Sequence, residues 1–299
     1  MQTEIKSDSP LTVSELCELA GVSHSGYYRW LSAAQSRAKR ERDDYADFLL
    51  IQEAYNHRGY AKGYRSIHAR LKRNGIVMNC KKIRRLMNKY GLKCPIRDAN
   101  PYRRMAKALK TDSVAPNLVN REFVKHGPRK VLLTDITYIR FKQRFVYLSV
   151  IKDAFTRQIL SYKLSESLEV EFVLQTIESL IENHGGELDD EVWIHSDQGC
   201  HYTSISFRKL LSDHELLQSM SRRGNCWDNA PQESFFGHMK DELEPYIKKW
   251  QSIDDINERI DDYMDYYNTE RYQSDLSWMS PNEYYQYVTS GEKPKNYAS

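Results

Sequence analysis

The chain has 299 residues, a formal net charge of +3 and 40% hydrophobic residues, enough for a core domain with smaller modules attached. Its five cysteines are scattered and never form a CxxC pair, so the sequence indicates neither a disulfide framework nor a thiolate zinc site. No apolar run reaches the ~18 residues of a membrane span, and the polar start MQTEIKSDSP has no signal-peptide core. We therefore expect a cytoplasmic protein without a membrane partner.

The small net charge conceals a strong asymmetry along the chain. Residues 58–110 contain 17 Lys and Arg but one acid, Asp98, which gives a net charge of +16 and leaves −13 for the remaining residues. A positive excess this concentrated indicates a polyanionic partner, of which DNA or RNA is the most common. The alternative is a solvated basic surface that binds nothing specific.

The first segments show a helical pattern in two hairpins. In residues 11–31, apolar residues at helical spacing precede a turn, and Ser23 is the predicted N-cap of a second helix. Residues 63–92 repeat this arrangement, with Asn79 as an N-cap and Gly91 as the terminator. Two hairpins with this charge favour helix-turn-helix modules, although a hairpin that merely packs is more common.

The basic residues of the second hairpin lie outside the apolar stripe of its last helix. This helix could lie along a phosphate backbone or enter a major groove. The candidate DNA-contacting residues of the hairpin are Arg65, Lys81, Lys82, Arg84 and Arg85.

Composition changes after this hairpin. The stretch from Lys93 to about Pro128 contains several prolines and few periodic apolar positions, which is typical of a basic linker. The predicted elements that follow are strands at 130–139, 145–154 and 158–164, a helix near 168–183, a strand at 192–195, a helix near 204–213 and a strand at 216–220. This order predicts an α/β fold, a mixed sheet with helices on its faces.

Three acids are candidates for chemistry in this region. Asp135 lies on the first strand among apolar residues of the same face, where an unpaired carboxylate would be costly to bury. Asp197 follows the fourth strand, at the edge where open α/β sheets place their sites. Glu233 opens a helix after the predicted N-cap Asn229, and Lys240 follows two turns later on nearly the same face. Each acid taken alone could be structural, Asp197 as a loop cap and Asp135 as a hydrogen-bond acceptor.

The motifs around these acids resemble those of a known family. Asp135 in TDIT, Asp197 in HSDQG and Glu233 in NAPQES, with 35 residues between the last two, resemble the DDE triad of integrases and transposases. SRRGNCWDNAPQESFFGHMKDEL and YYNTERYQSDLSWMSPNEY resemble the second-frame (OrfB-type) subunit of the insertion-sequence-three family of bacterial transposases. The likeness extends from about Tyr60 to Tyr285, and no departure falls on the triad.

The resemblance implies an RNase H-like mixed-sheet core preceded by all-α helix-turn-helix modules. The expected division of the chain is an N-terminal helix-turn-helix-like segment at 1–45, a basic helix-turn-helix module at 46–100, a basic linker at 101–128, the catalytic core at 129–246 and a C-terminal helical extension at 247–299.

The resemblance also implies that Asp135, Asp197 and Glu233 are both the catalytic residues and the metal ligands. The expected cofactor is Mg²⁺, as two ions for which Mn²⁺ can substitute. Carboxylates from separate elements suit Mg²⁺, which prefers oxygen ligands, and two cations about 4 Å apart clamp the attacking and leaving oxygens of a phosphodiester. Lys240 would grip a phosphate, and Trp227 would stack on an unpaired base.

The expected activity is cleavage and joining of DNA at the ends of an insertion element. The partners implied are double-stranded DNA of the terminal inverted repeats and of the target, a first-frame partner protein or a frameshift fusion with it, and further copies of this chain. The protein is expected in the bacterial cytoplasm, nucleoid-associated when bound to DNA. Two alternatives are a nuclease for RNA in RNA–DNA hybrids, which would not need two helix-turn-helix modules, and a DNA-binding protein with a silent core.

Other polar residues near these motifs have simpler interpretations. We expect Asp153 to order the turn between two strands, and His195 and His201 to be local hydrogen-bonding groups. Arg271, in the aromatic-rich stretch near the carboxyl end, is a further candidate for a DNA contact.

Overall fold

The amino-terminal part of the chain is helical. The computed structural model describes residues 12–60, 62–94, 115–119, 125–188, 191–221, 229–247 and 249–294. Helix α1 (Val13–Leu19) begins at a capping box of Thr12 and Glu15. Helix α2 (His24–Ser32) begins at Ser23, whose side chain accepts a hydrogen bond from the backbone of Gly26. The predicted first hairpin is confirmed.

Three further helices form a small core of their own. They are α3 (Ala34–Asn56), α4 (Tyr64–Arg73) and α5 (Cys80–Lys89). Ile51, Ile67 and Ile83, one from each helix, are fully buried in one cluster. The α4–α5 pair is the predicted second hairpin, whereas the sequence pattern does not predict α3. This helix runs without a break through residue 45, where the sequence analysis places a domain boundary.

The second half of the chain builds a five-stranded sheet. Its strands, in the spatial order β3-β2-β1-β4-β5, are β1 (Val131–Phe141), β2 (Arg144–Asp153), β3 (Ile159–Ser165), β4 (Trp193–Ser196) and β5 (Leu217–Met220). The first three strands pair antiparallel, whereas β4 runs parallel to β1 and β5 runs parallel to β4. The predicted mixed sheet is confirmed, each strand to within two residues at its ends.

Helices cover both faces of this sheet. They are α6 (Glu171–His184), α7 (Ile205–Asp213), α8 (Ala230–Ile247), α9 (Ile253–Thr269) and α10 (Pro281–Ser290). α6 and α7 pack on one face around Leu132 and Ile151, while α8 and α9 pack on the other around Leu148 and Val150. Asp135 lies directly opposite Val150 in the β1–β2 register and therefore shares the α8 face.

The helical module, formed by α3, α4 and α5, is attached to the core between the sheet and helices α8 and α9. Tyr60, in the turn before α4, is fully buried in the same cluster as Tyr263 and Tyr266 of α9. Its hydroxyl donates to the carboxylate of Asp262 at 2.6 Å. Within the described ranges, no helix has the length and apolar character needed to cross a membrane.

Candidate active site

Asp135 and Asp197 lie at matching positions on neighbouring strands. β1 and β4 are parallel, and Leu133 pairs with His195 in their register. Each aspartate is two residues further along its chain, so the two lie side by side, Asp135 within β1 and Asp197 just beyond the end of β4. Adjacent strands are about 5 Å apart, which brings side chains at matching positions close together.

Backbone amides orient both carboxylates. The N–H of Ile136 donates to Oδ1 of Asp135 at 2.7 Å, and the N–H of Gly199 donates to Oδ1 of Asp197 at 2.8 Å. A Cβ on Gly199 would lie 2.9 Å from that same Oδ1, so a larger residue would push the Asp197 carboxylate away. Asp197 therefore organises the loop, as the structural interpretation of its motif expects.

Glu233 is carried to the same face by α8. It lies in the first turn of this helix, which packs against β1. The Nδ2 of Asn229 donates to Oδ2 of Asp135 at 3.4 Å, and the Nε2 of Gln232 donates to the carbonyl of Val150 at 3.5 Å. The first turn of α8 is thus bound to the strand that carries Asp135.

The side chain of Asn229 does not have the role that the sequence predicts. The residue directly precedes α8, at the expected N-cap position, but its amide faces Asp135 and its Oδ1 has no partner among the described residues. The capping hydrogen bond is therefore absent here. Asn229 was not predicted to be a neighbour of the acids, although its spacing of one helical turn before Glu233 is a usable signal.

The acids influence one another's charge. Burial and the nearby carboxyl of Asp197 raise the pKa of Asp135 to about 8. The charge of Glu233 raises it further, whereas Lys240 acts in the opposite direction. Desolvation by the surrounding protein also raises the pKa of Asp197. Two carboxylates and one ammonium therefore lie within electrostatic range of Asp135.

This arrangement is not a closed metal cage. Among the described residues, no three His, Cys, Asp or Glu side chains are grouped tightly enough to hold a metal ion. The side chains nevertheless supply oxygen donors on one face, at a point where like charges already repel one another. An open set of carboxylates is the kind of site that a hydrated, oxygen-preferring cation occupies.

Comparison with known proteins decides the family. A family profile described as an integrase core domain matches residues 125–226, and a second integrase core profile matches residues 214–281. An HTH-like domain profile matches residues 41–99. A protein of Escherichia coli strain K12 that is named as transposase InsK of insertion sequence element IS150 is 32% identical over 284 residues, covering 94% of this chain and 95% of that protein. The chain belongs to this family of insertion-sequence transposases.

Further relatives of the transposase agree with this assignment. A 31 kDa protein of insertion element IS600 from Shigella sonnei is 31% identical and covers 89% of this chain and 96% of that protein. The predicted family, the integrase-type α/β core and the HTH-like module are confirmed. A solved HTLV-2 integrase catalytic core domain in complex with magnesium is similar at 17% identity and a TM-score of 0.41, covering 52% of this chain and 94% of that one.

Two of the basic residues predicted to contact DNA are paired with acids of the transposase itself. Arg85 donates two hydrogen bonds to the carboxylate of Asp44 on α3, at 2.6 and 2.8 Å. Lys82 forms an ion pair with Asp47 on the same helix. The pKa of Asp44 lies well below its usual range because of the hydrogen bonds from Arg85 and a neighbouring lysine. These two cations bind α3 to α5, a role that the sequence cannot show without α3.

The remaining predicted DNA contacts are placed as follows. Lys81 and Arg84 are exposed on α5, and Arg65 is exposed on α4, where its Nε donates to the hydroxyl of the adjacent tyrosine at 3.1 Å. Lys240 lies on α8 close enough to Asp135 to lower its pKa. Trp227 lies outside the described residues.

The simpler interpretations of the other polar residues hold. Asp153 is fully buried and accepts hydrogen bonds from the backbone of Phe155 and the hydroxyl of Thr156, so it orders the turn after β2. The imidazole of His195 lies between the hydroxyls of Ser219 and Ser221, at 2.9 and 3.1 Å. His201 contacts the backbone carbonyl of Leu168 at 3.1 Å. Both are local hydrogen-bonding groups, as expected.

Arg271 is placed differently from the expectation. Its guanidinium donates hydrogen bonds to both carboxylate oxygens of Glu242 on α8, with the shortest at 2.8 Å. The carboxylate raises the pKa of Arg271 well above its usual range in spite of burial. Arg271 therefore binds α8 to the segment after α9, and its contact with DNA stays a prediction.

Proposed function

We propose that this transposase binds the ends of its insertion element and cuts and joins DNA strands with Asp135, Asp197 and Glu233. In this proposal residues 46–100 bind the ends and residues 129–246 carry the chemistry. The observation that supports it is the matching position of Asp135 and Asp197 on parallel neighbours, with α8 hydrogen-bonded to Asp135. The charges of Asp197 and Glu233 also act on Asp135, so the proposal assigns the chemistry to three acids from three separate elements.

A divalent cation fits these side chains. Asp135, Asp197 and Glu233 would hold Mg²⁺, or Mn²⁺ in its place, because all their donors are oxygens and a cation would relieve the repulsion that raises the pKa of Asp135. Two ions held by these residues would supply activation of water and neutralisation of the charge on the attacking and leaving oxygens of the phosphodiester.

The protein's own groups would orient the DNA. The ammonium of Lys240, two turns beyond Glu233, would bind a phosphate oxygen next to the acids. The amide of Asn229 fixes the orientation of the Asp135 carboxylate through its hydrogen bond to Oδ2. The free DNA 3′-hydroxyl is the nucleophile of the joining step, so no covalent bond to the protein is required.

Partners follow from the same proposal. A helix-turn-helix module and an integrase core both serve DNA, so the substrates would be the terminal inverted repeats and the target duplex. Acting on two ends requires two copies of the chain or more. A first-frame protein, or a fusion with it, would add end recognition.

A cleavage and joining assay tests this proposal. Wild type, Asp197→Asn and the control Asp213→Asn, an exposed acid at the end of α7, would be incubated with a labelled element end and Mg²⁺. Each protein is assayed with the first-frame partner absent and present. We expect nicked and joined products from wild type and the control, and none from Asp197→Asn.

The outcomes separate the alternatives. DNA binding without cleavage by wild type under every condition would contradict the proposal and favour a silent DNA-binding protein. Cleavage of RNA in an RNA–DNA hybrid, with element ends left intact, would favour the nuclease. Equal cleavage by Asp197→Asn and wild type would remove Asp197 from the site.

A further inference from the structure

Lys152 is a buried basic residue beneath the first turn of α8. It lies on β2, directly opposite Leu133 of β1, and is 2% exposed. An ammonium group is expensive to bury because it loses its hydration. Desolvation, together with the charge of Arg157, lowers the pKa of Lys152 to about 7. Burying this lysine therefore lowers the stability of the folded protein, so a role other than stabilisation is needed to explain it.

The hydrogen bond of Lys152 supplies that reason. Its Nζ donates to the backbone carbonyl of Pro231, two residues before Glu233, and lies 5.5 Å from the ring centre of Phe235. An amine can donate to a carbonyl whether or not it is charged, so this contact does not depend on the protonation state. Lys152 thus links strand β2 to the first turn of α8, which carries Glu233.

We propose that Lys152 is a positioning residue, which holds the first turn of α8 on the sheet so that the Glu233 carboxylate faces Asp135. Two amide contacts, from Asn229 to Asp135 and from Gln232 to the sheet, bind the same turn at 3.4 and 3.5 Å. Both are long for hydrogen bonds, and the lysine adds a closer contact to this turn. This inference rests on the proposed role of Glu233 as a metal ligand.

Lys152→Met separates a positioning role from a purely structural one. Methionine keeps most of the length and apolar volume of the lysine but cannot donate, and exchanging a buried charge for an apolar group is often neutral or stabilising. We expect Lys152→Met to unfold in urea at the same concentration as wild type or a higher one. We expect its affinity for Mn²⁺, measured without DNA by electron paramagnetic resonance, to fall about tenfold.

Lys142→Met is the matched control. Lys142 also donates its Nζ to a backbone carbonyl, that of Gln251, at 2.6 Å, but it is exposed in the β1–β2 turn. We expect this control to bind Mn²⁺ as wild type does. Unchanged Mn²⁺ affinity in Lys152→Met, or a variant that fails to fold, would overturn the positioning role.

Glu233→Gln distinguishes this inference from the function on which it rests. If Glu233→Gln binds Mn²⁺ as tightly as wild type, the proposed ligand is wrong. If Glu233→Gln weakens binding and Lys152→Met does not, the ligand stands and the positioning role is wrong. If both weaken binding, Lys152→Met should have no further effect in the Glu233→Gln background, because it acts through that carboxylate. Additive losses would contradict the inference.

Discussion

The guanidinium of Arg58 and the carboxylate of Glu270 are joined by a hydrogen bond of 2.9 Å across 212 residues of sequence. The same carboxylate contacts the imidazole of His57 at 2.6 Å and accepts from Arg70 at 2.9 Å. One acid after α9 therefore binds three basic side chains of the helical module. Part of the positive charge that the sequence assigns to a polyanion is used to hold the protein's own parts together.

Removing this acid should loosen the module. Glu270→Gln would leave His57, Arg58 and Arg70 with one fewer anionic partner, and we expect a loss of about 2 kcal/mol in the free energy of unfolding. Urea denaturation measures this loss. The control is Asp275→Asn, an exposed partner of a single arginine, for which we expect a change of no more than ~0.5 kcal/mol. Equal effects in the two variants would contradict the role of Glu270.

DNA binding should depend on Lys81 and Arg84 of α5 more than on Arg85, which is paired with Asp44. Replacing Lys81 and Arg84 by Ala should reduce the slope of log Kd against log salt concentration by about 2, since about one counterion is released per phosphate contact. Arg85→Ala should leave this slope nearly unchanged, because its guanidinium is bound to Asp44. Fluorescence anisotropy with an end fragment at several salt concentrations measures both slopes. The opposite ranking would assign DNA contact to Arg85.

Glu233 should be needed for chemistry and not for binding. We expect Glu233→Gln to lower the rate of strand cleavage by at least about 10³-fold, since it removes a charged ligand from the proposed site, while Kd for the end fragment changes less than about threefold. Glu244→Gln, an exposed acid on the same helix, is the control and should cleave at the wild-type rate. Single-turnover cleavage gives the rates. Wild-type cleavage by Glu233→Gln would exclude it from the site.

The titration of Lys152 should appear in the pH dependence of stability. Its pKa is about 7 in the folded protein and 10.5 in the unfolded chain, so between these values the unfolded chain binds more protons. The free energy of unfolding of wild type, relative to Lys152→Met, should therefore rise with pH from about 7 to 10.5 and stay constant below 7. Urea denaturation of both proteins across this range gives the difference. A flat difference would show that the amine is not desolvated.

The strands and two of the three acids could be located from the sequence because alternation and turn residues mark the ends of short buried strands. The predicted bounds of β1 and β4 locate Asp135 within the first strand and Asp197 at the end of the fourth. The alternation of side chains also places Asp135 on the correct face. Their catalytic role stays a prediction. The contact between Asn229 and Asp135 was not predictable, since capping is the ordinary role of an asparagine before a helix.

Other features depend on contacts between distant parts of the chain. α3 begins with a run of charged residues without an apolar stripe, so the sequence pattern does not predict a helix there. The hydrogen bonds between Arg85 and Asp44 of this helix could therefore not be predicted either. Lys152 lies near the end of the apolar strand β2, where a lysine is ordinarily solvated. Its burial results from α8, which joins the sheet about 80 residues later in the chain.

The attachment of Tyr60 and Arg58 to α9 fixes the distance between the helix pair α4–α5 and the face of the sheet that carries Asp135. The separation between these two parts is therefore set by the folded protein itself. If the proposed end binding by this helix pair and the proposed chemistry at Asp135 both hold, we expect the strand break at a constant number of base pairs from the bound sequence.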